Sequence, residues 1–135
     1  MERTLMILKP DAVERKLVGK ILAKVEATGL TIVRMEMIRL TPERAKAFYH
    51  VHEGKPFLND LVDYMSSGPV VACVLEAESA IPRLRELMGA TNPKNAAPGT
   101  IRAEFAVDIQ TNSVHGSDSP ESAAEEIPFF FPNAS

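Results

Sequence analysis

The chain has 135 residues and a mass of 14.8 kDa, a length that one hydrophobic core organises, so a single domain over residues 1–135 is expected. An apolar fraction of 45% against a charged fraction of 24% excludes a chain dominated by disorder, because enough surface can be buried to offset the entropy of ordering. A formal net charge of −3 and a pI near 5.6 argue against a broad nucleic-acid footprint, while leaving room for an anionic small ligand where positive charge gathers locally.

Arg3 to Leu8 is almost wholly apolar and predicts a buried first strand. Leu17 to Thr28 then places Val18, Ile21, Leu22 and Val25 at helical spacing, with Gly29 as the stop. From Leu30 to Leu40 the period drops to two: Val33, Met35 and Met37 alternate with Arg34 and Glu36, which makes them the packing face of a second strand, and a phase slip at Ile38 predicts a bulge there. Thr41-Pro42-Glu43 combines an N-cap, a proline at the first helical position and an early acid, so a short helix carrying Ala45, Phe48 and Tyr49 follows.

Pro56 opens another helix through Leu58, Leu61, Val62 and Met65, ended by Gly68-Pro69. Val70 to Glu76 is a third buried strand, in which the single cysteine, Cys73, has the role of a small hydrophobe. Ser79 begins a helix that ends near Gly89, and Ala90 to Gly99 is a turn-rich candidate binding loop. A short strand around Val114 and His115 precedes Ser119-Pro120-Glu121, which opens the last helix toward Phe129-Phe130-Phe131. The order suits an α+β fold, a ferredoxin-like β-α-β-β-α-β core on one antiparallel sheet with additional helices. No apolar run approaches the roughly 20 residues that span a bilayer, and no secretory pattern precedes Lys9-Pro10-Asp11, so a cytoplasmic protein with no membrane partner is expected.

Imidazole alone among unperturbed side chains is partly deprotonated and nucleophilic near neutral pH, which directs attention to the three histidines. His50 and His52 lie two apart, a poor chelating geometry on a helix, and fit surface or helix-end positions. His115 stands between a strand and the small polar run Gly116-Ser117-Asp118-Ser119, where a helix N-terminus attracts anions. On spacing alone a structural histidine and a functional one fit equally.

The string Asn112-Ser113-Val114-His115-Gly116-Ser117-Asp118 resembles the active-site signature of nucleoside diphosphate kinases. The likeness extends through Leu8-Lys9-Pro10-Asp11-Ala12-Val13, Lys55-Pro56-Phe57, Ser67-Gly68-Pro69-Val70-Val71, Gly89-Ala90-Thr91-Asn92-Pro93 and Pro98-Gly99-Thr100-Ile101-Arg102. The resemblance implies a ping-pong exchange in which His115 takes the γ-phosphoryl of a nucleoside triphosphate and passes it to a nucleoside diphosphate. It also implies Mg2+ carried on the nucleotide phosphates rather than on protein metal ligands.

In the same resemblance Lys9, Arg85 and Arg102 match phosphate-contacting cations, Thr91 a phosphate-contacting hydroxyl, Asn112 a contact to the sugar and Phe57 the ring that stacks on the base. Ser117 and Glu126 match the pair that orients the histidine, and Tyr49 a tyrosine near the phosphates. The likeness further points to the δ nitrogen as the phosphorylated one, to broad base and sugar tolerance, and to a homo-oligomer, tetramer or hexamer, with no stable nucleic-acid binding. Three departures stand out: Lys16 where glycine is frequent, Leu58 where a second aromatic often follows Phe57, and Pro120 where valine is often found. Taken singly, Lys9, Arg85 and Arg102 could be solvated charges and Phe57 a core residue. A histidine phosphatase or mutase, and a nucleotide-sensing module on the same fold, are the competing readings.

Overall fold

In the computed structural model, which describes residues 1–106 and 113–132, the first apolar run becomes β1 (Glu2–Leu8). Leu5, Met6, Ile7 and Leu8 are all fully buried, because β1 lies inside a four-stranded sheet that is covered on both faces. Alternate residues feed opposite cores. Met6 and Leu8 join Cys73 and Leu75 on one face, whereas Leu5 and Ile7 join Ala72 and Val74 on the other. A strand buried on both sides carries a continuous apolar run instead of an alternating one.

The sheet order is β2-β3-β1-β4, with β2 (Thr31–Arg39), β3 (Pro69–Ala77) and β4 (Val114–Gly116), and every neighbouring pair is antiparallel. That order, with crossover helices α2 (Val18–Ala27) and α5 (Ala80–Met88), is the ferredoxin-like topology expected from the sequence. Ile21, Val25, Leu84 and Met88 of these helices pack on one face. The additional helices α3 (Pro42–Phe48), α4 (Leu58–Met65) and α7 (Pro120–Phe130) cover the other through Ala45, Val62, Met65 and Phe130. Burying side chains of this size contributes about 1.5–3 kcal/mol each.

Caps end the helices where the sequence places them. Thr41 accepts the Arg44 N–H at 3.1 Å, and Ser119 accepts the Ser122 N–H at 3.1 Å, with Pro42 and Pro120 following as first helical residues. Ser79 departs from that pattern: it adopts φ 54° and its side chain caps nothing, while Glu2 Oε1 accepts the Ile81 N–H at 2.8 Å. Pro56 lies in a turn two residues ahead of α4.

Two short helices, α1 (Pro10–Glu14) and α6 (Ile101–Phe105), carry no periodic signal, since five residues make little more than one turn. The bulge falls between Ile32 and Arg34, not at Ile38. Met35 and Met37 are 56% and 59% exposed instead of packed: they pair with Cys73 and Val71 on the α2 face, but β2 is the edge strand and no helix among the described residues covers them. Cys73 is fully buried, and burial pushes its thiol up to about 12, so it is a packing residue.

Candidate active site

β4 pairs with β1 so that His115 stands opposite Ile7, which turns its ring toward the face covered by α3 and α7. There the edge of Phe48 meets the imidazole at 5.4 Å between ring centroids, and Tyr49 stands at 6.3 Å. Beneath the ring, His115 Nε2 lies 3.1 Å from Glu126 Oε1, and the Ser117 hydroxyl donates to the same oxygen at 2.8 Å. Ser117 is fully buried and accepts the Leu5 N–H at 3.3 Å, which ties the arrangement to the central strand. The imidazole itself keeps 20% of its surface exposed, on the wall of a cleft of about 1020 Å³.

Three more elements bring positive charge to that cleft. Lys9 sits at the exit of β1, where the chain turns into α1, and its side chain is almost wholly buried. Burial first, and then the Arg102 guanidinium, pulls its pKa down to about 8 against the opposing pull of Asp11. Arg102 on α6 donates from Nη1 to the Gly89 carbonyl at 3.0 Å and from Nη2 to the Val114 carbonyl at 2.9 Å. Its pKa falls to about 10 through burial and the nearness of Arg85. Arg85 of α5 and Thr91 of the following loop complete this wall.

Asp118, also on the cleft, accepts the Ser122 hydroxyl at 2.5 Å, and this bond, with Arg85 assisting, holds its carboxyl below the usual range. Phe57 is 47% exposed on the same cleft, its ring 5.1 Å from that of His52. Two residues that line the cavity each carry a buried polar atom, Tyr49 Oη and Arg102 Nε, with no hydrogen-bond partner among the described residues. An unsatisfied buried donor costs about 1–3 kcal/mol, so donors held this way suit an incoming acceptor. A pocket that combines them with a buried lysine suits a polyanion.

All but one of the site residues named from sequence line this cleft or bond to a residue that does: Lys9, Tyr49, Phe57, Arg85, Thr91, Arg102, His115 and Glu126 line it, and Ser117 braces His115 through Glu126. Asn112 lies outside the described residues. Sequence reasoning assigned His50 and His52 to surface or helix-end positions and gave them no part in the site. Both also line the cleft: His50 Nε2 reaches Glu125 at 3.1 Å, and the His52 ring stacks near Tyr49 at 6.1 Å. The aromatics at positions 48, 49 and 57 offered the signal, since a histidine among them has rings to meet.

A ferredoxin-like domain with a reactive-type histidine and converging cations in one cleft has the make-up of a phosphotransferase. Residues 2–135 match the family model described as nucleoside diphosphate kinase. The nucleoside diphosphate kinase of Geotalea uraniireducens is 60% identical over 131 residues, covering 97% of this chain and 96% of that protein. That of Campylobacter concisus is 61% identical, also over 97% of this chain and 96% of its own length. The solved structure of the Aquifex aeolicus nucleoside diphosphate kinase superposes with a TM-score of 0.95 at 53% identity, covering 96% of this chain and 94% of that one. A Halobacterium salinarum nucleoside diphosphate kinase, solved in complex with CDP, gives 0.94 at 42% identity over 98% of this chain and 88% of its own. The chain belongs to the nucleoside diphosphate kinase family, and its activity is that of a nucleoside-diphosphate kinase.

Proposed function

We propose that this enzyme transfers the γ-phosphoryl group of a nucleoside triphosphate through a covalent phosphohistidine at His115 Nδ1. The observation that carries the reading is the contact between His115 Nε2 and Glu126 Oε1. A carboxylate oxygen accepts, so Nε2 holds the proton and Nδ1 keeps the lone pair. That lone pair attacks the γ-phosphorus, the bond from phosphorus to the bridging oxygen breaks, and the diphosphate leaves with the electron pair. In the second half an oxygen of the incoming diphosphate attacks the same phosphorus, the N–P bond breaks, and His115 returns to its starting state. Glu126 and Ser117 orient the ring, and the carboxylate balances the positive charge that grows on it.

Lys9, Arg85 and Arg102, with the hydroxyls of Thr91 and Tyr49, spread the charge of the transferring group, which is most of what a loose transition state needs. Phe57 offers a face on which any base stacks, and Asn112 is assigned to the sugar, so broad use of bases and of both sugars is expected. A magnesium ion fits this cleft as a passenger on the phosphates. The nucleotide phosphates would carry it, and the Asp118 carboxylate on the cleft wall would be the protein group to hold it through water. When bound, the ion neutralises phosphate charge and straightens the chain for in-line transfer.

The exposed Met35 and Met37 on the edge strand β2 support a homo-oligomer, a tetramer or a hexamer, in which that edge is covered. The same reading takes residues 1–135 as one catalytic domain, working in the cytoplasm where its nucleotides are. Incubation with γ-labelled ATP and magnesium should give acid-labile label on the intact protein, released by GDP, CDP or dTDP as the matching triphosphate. Label that survives His115→Gln, or that leaves as free phosphate with no triphosphate formed, rejects the mechanism.

A further inference from the structure

Asp11 is a buried acid to which the chemistry above assigns no part. It occupies the first turn of α1, two residues after Lys9, and is only 7% exposed. Its carboxylate is shared between distant segments: Oδ2 accepts the Ser113 hydroxyl at 3.0 Å, and Oδ1 accepts the hydroxyl of Tyr64, near the end of α4. Ser113 is fully buried and holds φ 73°, in the left-handed region that a side chain disfavours. Its carbonyl accepts the Lys9 N–H at 2.8 Å. Lys9, Asp11 and Ser113 thus form a closed loop of bonds. It joins the backbone of a buried cation to the residue that turns the chain into β4, two positions before His115.

Removing a carboxylate from water is costly, and an apolar side chain would hold α1 against β4 at less expense. A single geometric demand accounts for the acid: the left-handed turn at Ser113 must be held against its own preference. We propose that Asp11 is a positioning residue for phosphotransfer, one that through Ser113 sets the Lys9 ammonium against the His115 ring. Tyr64 ties the same carboxylate to α4, whose Leu61 lines the cleft. The inference rests on the reading of His115 as the phosphoryl carrier.

Charge adds a second consequence. Of two charged neighbours of Lys9, Arg102 disfavours the ammonium form and Asp11 favours it; Asp11 in turn faces Lys9 and Arg15. Loss of its charge therefore moves the alkaline limb of the rate profile to lower pH.

The test compares Asp11→Asn, Ser113→Ala, the double variant and Tyr64→Phe with the wild type. Single-turnover formation of phosphohistidine from ATP and the affinity for ADP are measured separately, with thermal unfolding alongside. Measured at about pH 6, where Lys9 keeps its proton in every variant, Asp11→Asn and Ser113→Ala are each expected to slow phosphohistidine formation about tenfold or more while ADP affinity stays within about twofold, a split that marks positioning and not binding. The double variant should be no slower than the slower single one, because both remove the same tie. In Asp11→Asn alone the alkaline limb should move to lower pH. Rates per folded molecule equal to wild type, or effects that simply multiply, overturn the inference. Should Asp11→Asn not fold, the rates of Ser113→Ala and Tyr64→Phe decide it by the same criterion. A wild-type protein that takes no label overturns the reading of His115 instead, so the two failures are distinguishable.

Discussion

His115 Nε2 and Glu126 Oε1, eleven residues apart in the chain, meet at 3.1 Å, with the Ser117 hydroxyl on the same carboxylate oxygen. Replacing Glu126 with Ala removes the acceptor that fixes the ring's tautomer. Activity should fall roughly tenfold to a hundredfold, mostly in kcat, by analogy with other residues that orient a reactive imidazole. Steady-state kinetics on a variant of unchanged fold check this; a loss confined to KM would contradict it. Ser117→Ala should add a stability loss of about 1–3 kcal/mol, because the buried Leu5 N–H then has no acceptor for its bond to that hydroxyl.

Lys9 predicts a proton linked to nucleotide binding. Its pKa is lowered from 10.5 to about 8 in the free protein, mainly by burial. A bound polyphosphate favours the ammonium, so above about pH 8 binding takes up a proton and affinity declines. Calorimetric titration with ADP at pH 8.5, in two buffers of different ionisation enthalpy, should show that uptake, and Lys9→Arg should abolish it. The stability sign is the opposite of a salt-bridged lysine's. Between about 8 and 10.5 the unfolded chain holds the proton that the folded one has lost, so this residue adds stability as pH rises through that window, and its burial cost is fully present below it. Lys9→Met should therefore stabilise the free protein at pH 7 while weakening nucleotide binding.

At Lys16 the backbone has φ 60° on an exposed position. A lysine there bears a left-handed penalty of about 1–2 kcal/mol, part of which a glycine gives back through chain entropy. Lys16→Gly should raise stability by up to about 1 kcal/mol and leave kcat unchanged. Denaturant midpoints measure it, and a destabilised variant would contradict the conformational account.

Gly89 meets a different constraint. It has φ 85°, and a Cβ there would stand 2.5 Å from Thr100 Oγ1 and 2.8 Å from Thr100 Cβ, while its own carbonyl holds Arg102. Gly89→Ala should cost about 1–3 kcal/mol and displace α6, so that Arg102 no longer reaches the cleft as it does now. Thermal unfolding and KM for ATP should both worsen. A variant with normal KM would mean that Arg102 is not held by this turn.

Phe57→Ala removes the exposed ring on the cleft wall. If it stacks on bases, affinity should drop by about 1–3 kcal/mol, nearly equally for purine and pyrimidine nucleotides. A loss restricted to one base class would point to edge recognition by another side chain.

What the chain revealed on its own follows from where local information suffices. The runs Leu5 to Leu8 and Val70 to Leu75 announced strands buried on both faces, and the caps at Thr41 and Ser119 stand where the residue types require. Met35 and Met37 show the limit: alternation tells which side chains share a face, not whether a neighbouring element covers it, and at the edge strand none among the described residues does. Lys9 and Arg102 resemble solvated charges when read alone, because their burial is made by segments far along the chain. Asp11 and Ser113 are separated by 102 positions, so no spacing argument could have joined them. The small polar neighbours of His115 left a structural and a functional histidine equally open; its role, and that of the carboxylate at its Nε2, were legible only through the family likeness.

The account stands on which nitrogen of which histidine carries the phosphoryl group. Phosphorus NMR of the intact protein, combined with fragmentation mass spectrometry after brief exposure to ATP and magnesium, measures it directly. One alkali-stable phosphoryl per chain, on Nδ1 of His115 and absent from His115→Gln, is the predicted result. Phosphoryl on Nε2, on His50 or His52, or on no histidine would contradict it.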